Sequence, residues 1–160
     1  VVGRTDGSFV GDRSIAHGSF TVERTYRHTP SKVFQAWANP EFKRQWFGSP
    51  NPANPKEQMD FRVGGREFNE SEMEGKTYTF DVAYRDIVPD NRIIYTYEMT
   101  MNGQRISVSL ATIEFFPNEG GTRMVVKEDG AFLDGLDTHK IREDGTNYLI
   151  DLMGRWLDEQ

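Results

Sequence analysis

The sequence contains no cysteine. Disulfides, thiolate metal sites and a cysteine nucleophile are therefore excluded, and the composition fits a reducing cytoplasm. Histidine is scarce: His17, His28 and His139 are scattered, with no metal-ligand spacing and no HExxH-type motif. Neither a metal nor a cofactor is expected. Basic charge is in deficit, with 19 Lys and Arg against 25 Asp and Glu and a net charge of -6. Phosphate binding needs a concentrated basic face, so nucleic acid is not expected as a partner. No apolar run approaches the length of a membrane span. No glycine-rich phosphate loop exists either, because "VGGREF" sits inside a strand pattern and opens no helix. Residues 1–18 lack the basic start and apolar stretch of an export signal. They read as an irregular arm ahead of one domain, 19–160, long enough to bury a core unaided.

Aromatic residues are plentiful: 11 Phe, 6 Tyr and 3 Trp. Their placement follows the predicted elements. "SFTVERTY" (19–26) alternates as a half-buried strand. In "TPSKVFQAWA", Thr29 is a natural N-cap and Pro30 fits the first helical position, with Val33, Phe34 and Trp37 on one side. "NPEFKRQWF" repeats the device with Asn39 and Pro40. The proline- and asparagine-rich stretch 48–55 is a loop.

The middle of the chain reads as strands. "MDFRVGGREFNE" (59–70) alternates around a bend or bulge at Gly64–Gly65. Tyr78, Phe80, Val82 and Tyr84 share one face of the next strand. Ile93, Tyr95, Tyr97, Met99 and Met101 share one face of the strand after it. Asn102-Gly103 is a strong hairpin signal. In "RISVSLATIEFF", Val108 and Leu110 are out of phase with Ile113 and Phe115, which predicts a bulge near Ala111. "TRMVVKED" is the last strand, and "GAFLDGLDTHK" (130–140) a loop. From about Arg142 to Asp158 the period is helical, with Leu149, Leu152, Met153 and Trp156 at i, i+3, i+4 and i+7. The order is strand, two short helices, five antiparallel strands and one long terminal helix. That is an α+β layout whose sheet needs the terminal helix to cover its apolar face.

Four motifs in order carry a family resemblance. The first is Arg24, Thr25, Pro30, Phe34, Ala36, Trp37, Pro40, Glu41 and Trp46. The second is Asp60 with "RVGG" at 62–65. The third is Gly75, Tyr78, Pro89, Arg92 and Ile93, and the fourth is "GGTRM" at 120–124. Together they resemble the Aha1-type (activator of Hsp90 ATPase homologue) domains of the START-like, Bet v 1-like superfamily, over residues 19–158. The chain departs where Gly145 is followed by Thr146 instead of Trp. The resemblance implies a helix-grip fold: a curved antiparallel sheet around a long C-terminal helix, with a cavity between them that in the superfamily often holds an apolar or amphipathic small molecule.

The candidate ligand-binding set is Phe34, Trp37, Trp46, Tyr78, Tyr84, Tyr95, Tyr97, Met99, Met153 and Trp156. Each could simply fill the core. As a set they favour a lined cavity, because inward tyrosines need a partner or water for each hydroxyl and a mostly apolar wall with a few polar tips suits a small molecule. Asp60 and Arg62 share one side of a strand: they could offer a charged spot to a ligand carboxylate, and the plainer reading is a solvated or structural ion pair. The expected function is binding of an apolar or aromatic small molecule, with weak catalysis or none. A chaperone-interaction module of Hsp90 type is the alternative that the resemblance implies. A cyclase- or hydrolase-like enzyme is another, with Asp60, Glu67, Glu98 or His139 beside Asp137 as acid–base candidates. A homodimer is left open.

Overall fold

The computed structural model describes residues 12–47, 54 and 56–160. The elements are β1 (Ile15–Tyr26), α1 (Pro30–Ala38), α2 (Pro40–Lys43), β2 (Gln58–Met59), β3 (Arg66–Met73), β4 (Lys76–Val88), β5 (Arg92–Met101), β6 (Gln104–Asn118), β7 (Gly121–Leu133) and α3 (His139–Asp158). The strands form one seven-stranded sheet in the order β1-β7-β6-β5-β4-β3-β2, every pair antiparallel. The sheet is curved and unclosed, and α3 lies against β1 and α1. This is the α+β helix-grip layout anticipated from the sequence.

The helix starts follow local chemistry. The Thr29 hydroxyl accepts from Lys32 N–H at 3.2 Å, and Asn39 Oδ1 accepts from Glu41 N–H at 2.9 Å. Pro30 and Pro40 occupy first-turn positions whose N–H groups need no partner. The Thr138 hydroxyl caps α3 at Ile141 N–H, 3.1 Å away, so the helix begins at His139, three residues ahead of the expected start. Its fully buried stripe is Ile150, Met153 and Leu157.

Several boundaries differ from the sequence reading. β1 begins at Ile15, because residues 15–18 pair with 130–133, a stretch expected to be loop. Gly18 faces Gly130 in that register, and glycine's weak strand preference masked both segments. Strand 59–70 is two strands: Gln58 and Met59 pair back onto Phe68 and Glu67. Gly64 and Gly65 therefore belong to a tight reversal, with Gly64 at φ +86° and a Cβ on Gly65 overlapping the Asp60 carbonyl oxygen. No bulge falls at Ala111. The register shifts instead beside Ile106 and at Arg85, and the second shift returns Ile87 to the core side. Val108 and Leu110 consequently face outward, 40% and 39% exposed, while Ser107, Ser109, Ala111, Ile113 and Phe115 are buried on the inner face.

Candidate functional site

Three inward faces meet under α3. From β5 come Tyr95, Tyr97 and Met99, from β4 Phe80, Val82 and Tyr84, and from β7 Met124, Val126 and Glu128. Tyr84, Tyr95 and Tyr97 lie side by side, with ring centroids 6.0 and 5.8 Å apart. Two of their hydroxyls find buried carboxylates. Tyr84 donates to Glu67 Oε1 and Tyr97 to Glu128 Oε1. Both carboxylates are almost fully buried. Burial is the chief reason that all three phenols sit well above their ordinary range, and the neighbouring carboxylates reinforce it. Tyr84 and Tyr97 thus answer to polar groups of the protein itself.

At one end of this aromatic row stands an ion pair. Lys43 Nζ is 2.7 Å from Glu67 Oε1, with both side chains buried. The ammonium also lies 4.6 Å from the Phe47 ring centroid and 5.8 Å from that of Trp37, where cation–π attraction offsets part of its lost hydration. A recess of about 190 Å³ reaches this pair between α2, β2 and β3. None of the ten expected site residues lines it.

At the other end, Glu128 accepts from Tyr97 on one oxygen and from the Thr146 hydroxyl, 3.1 Å away, on the other. Burial pushes the Glu128 carboxyl upward despite these hydrogen bonds. Asp137, just before α3, is also pushed up by burial, and the nearby Arg142 opposes the shift. Arg142 Nε is 2.9 Å from Asp137 Oδ2, but the N–H is not aligned for a hydrogen bond. Arg142 Nη1 lies 2.8 Å from the Met99 sulfur.

The ten expected residues do not share one chamber. Phe34, Trp37, Trp46, Tyr84, Tyr95, Tyr97 and Met153 are buried in the core. Trp46 donates to the Ala36 carbonyl at 2.9 Å and stands edge-on to Trp37 at 4.9 Å. Tyr78 and Met99 keep partial exposure at the Arg142 end. Trp156 is half-buried against Phe42, 5.3 Å away, on the order of 20 Å along α3 from Arg142. Of the acid–base candidates only Glu67 and Asp137 are buried. Glu98 is on the outer side, paired with Arg105 at 2.6 Å, and Asp60 pairs with Arg62 at 2.7 Å in the exposed reversal. His139 is exposed and packs over Gly18, while Asp137 turns to Arg142. No group of His, Asp and Glu among the described residues is placed to hold a metal ion, and no described helix is long and apolar enough to cross a membrane.

Sequence reasoning missed Lys43, Glu128, Arg142 and Thr146. Glu128 was visible in principle, since it continues the alternation of Met124 and Val126. Arg142 and Thr146 precede Leu149 and Met153 at helical spacing, so their place on the sheet-facing stripe was also readable. Lys43 carried no such signal, because α2 is too short to define a face.

A sheet gripping one terminal helix over a row of buried polar groups defines a helix-grip protein. The chain belongs to the activator of Hsp90 ATPase homolog 1-like family, whose sequence profile matches residues 27–158. It is similar to an uncharacterised protein from Rhizobium leguminosarum, with 39% identity, coverage of 94% of this chain and 100% of that one, and a TM-score of 0.86. It is also similar to the Mll3558 protein from Rhizobium loti, with 40% identity over 89% and 99% of the two chains and a TM-score of 0.83. Ara h 8.0201 shares the fold at 16% identity, covering 91% and 100% of the chains with a TM-score of 0.70. No curated protein matches the sequence.

Proposed function

We propose that this protein binds a small apolar or aromatic molecule, bearing at least one polar group, between the concave face of the sheet and the N-terminal half of α3. One observation carries this reading. Every fully buried residue of α3 lies at or beyond Ile150, whereas Arg142, Thr146 and Leu149 are only half-buried. Arg142 reaches the Met99 sulfur at 2.8 Å, and Met99 is half-buried, as are Met101 and Tyr78 on the same sheet face. The grip is sealed at the end holding Met153 and Leu157 and looser at the end holding Arg142. Flexible methionines suit a wall that must adapt to a guest, while Tyr97, Glu128 and Thr146 supply fixed hydrogen-bonding groups on its floor. The family's helix-grip architecture supports the same location. Phe34, Trp37, Trp46, Tyr84, Tyr95 and Met153 act here as the rigid wall behind the site, and Trp156 closes the far end.

The test is a fluorescence titration with N-phenyl-naphthylamine, a neutral aromatic probe. Saturable binding that is lost in Met99→Trp, which fills the loose end, supports the proposal. No binding, or binding indifferent to Met99→Trp, contradicts it.

A further inference from the structure

We infer that the guest carries a neutral carbonyl, such as a ketone, quinone or ester oxygen, which accepts a hydrogen bond from the Tyr95 hydroxyl; this rests on the small-molecule reading above. Tyr95 is the middle member of the tyrosine row. On one side Tyr84 donates to Glu67, and on the other Tyr97 donates to Glu128. Among the described residues the Tyr95 hydroxyl has no hydrogen-bond partner. Tyr95 is nevertheless only 6% exposed. A buried donor left unmet is costly, and such groups are rare in folded proteins. A hydroxyl hydrogen turns about its C–O bond, so the missing bond reflects distance more than alignment. The hydroxyl is not among the polar atoms sealed from solvent, as Ser107 Oγ and Asp137 Oδ2 are, so open space adjoins it.

Room on this face comes from β6. Its inward residues beside the tyrosines are small: Ala111 stands opposite Tyr95, Ser109 opposite Tyr97 and Ser107 opposite Met99. Farther along the same strand the inward positions are the bulky, buried Ile113 and Phe115. The strip of small side chains therefore runs from Tyr95 to Met99, at the loose end of the grip. Burial foremost, then the charges of Glu128 and Glu67, keeps the Tyr95 phenol protonated, so what it offers is an O–H donor. An anionic oxygen would meet those two carboxylates. The Lys43 ammonium, 5.9 Å from the Tyr95 ring centroid, is already tied to Glu67 at 2.7 Å. A ligand amine would bring donors to a group that is itself an unmet donor. A neutral carbonyl supplies the acceptor without the charge.

The experiment displaces N-phenyl-naphthylamine from the full chain with tetralone or tetralin, which share a ring system and differ by one carbonyl. The ketone is expected to compete at a concentration lower by on the order of ten-fold. Tyr95→Phe should bring that ratio to unity or reverse it. The same variant is checked without ligand. It removes a hydroxyl that has no partner, so its melting temperature should equal or exceed the parent's, whereas Tyr97→Phe, which loses the bond to Glu128, should melt lower. A Tyr95→Phe protein that fails to fold, or that melts as low as Tyr97→Phe, shows the hydroxyl to be held by the protein and overturns the inference. Equal competition by tetralone and tetralin overturns it while leaving the small-molecule reading intact. A preference unchanged in Tyr95→Phe overturns it too. Absence of any probe binding overturns both.

Discussion

Lys43 Nζ lies 2.7 Å from Glu67 Oε1, and neither side chain is more than 6% exposed. The Tyr84 hydroxyl donates to the same carboxylate oxygen. The pair ties α2, a helix of four residues, to β3. So short a helix has no stability of its own, so the bond to Glu67 fixes the position of Trp46 and Phe47 just after it. Removing one partner strands a buried charge. Lys43→Met or Glu67→Gln alone should lower unfolding free energy by about 3–5 kcal/mol in urea titrations, and the double change Lys43→Met with Glu67→Leu should recover much of the loss. Single variants within about 0.5 kcal/mol of the parent would show that the pair contributes little.

Glu128 makes stability depend on pH in an unusual direction. Its folded value is raised from 4.5, chiefly by burial. Between 4.5 and the raised value the folded state keeps a proton that the unfolded chain has released, so stability falls as pH rises through that window. Glu128→Gln keeps an acceptor for Tyr97 and removes the titration. Melting curves from about pH 5 to about pH 8 should show a shallower decline for the variant than for the parent. Parallel declines would place the proton elsewhere.

Trp46 seals the core and satisfies a helix end. Its indole N–H donates to the Ala36 carbonyl at 2.9 Å, close to the end of α1. Trp46→Phe removes that donor and part of the ring, and should cost about 2 kcal/mol by chemical denaturation. A cost near zero would mean that the indole position is not fixed by this bond.

Gly65 closes the reversal between β2 and β3. A Cβ there would overlap backbone, the Asp60 carbonyl oxygen, which no rotamer change relieves. Gly65→Ala should therefore destabilise by about 2 kcal/mol or more, whereas Gly75→Ala, where nothing lies within 4 Å, should cost less and only through its φ of +77°. Equal losses at the two sites would show that overlap is not the cause.

The sheet and helices were legible because their signals are local. Thr29–Pro30 and Asn39–Pro40 announce helix starts, and the runs Tyr78–Tyr84 and Ile93–Met101 alternate without interruption. Gly18 and Gly130 hid the outer turn of the β1–β7 ladder, since each pairs only through its partner across the sheet. Val108 and Leu110 misled for another reason: the inward positions beside them are Ser107 and Ser109, so apolar phase marked the wrong face. The hydroxyls of Tyr84 and Tyr97 have buried carboxylate partners, Glu67 and Glu128. Glu67 sits on the strand beside that of Tyr84, and Glu128 lies across β6 from Tyr97, so only the register of the whole sheet brings them within reach.

The most direct measurement of the central claim is an NMR map of amide shifts on titration with N-phenyl-naphthylamine. The account predicts that perturbations centre on Tyr78, Tyr97, Met99, Met101, Thr146 and Leu149, around the loose end of the grip. Shifts confined to the outward face at Val108 and Leu110, or none at saturating probe, would contradict it.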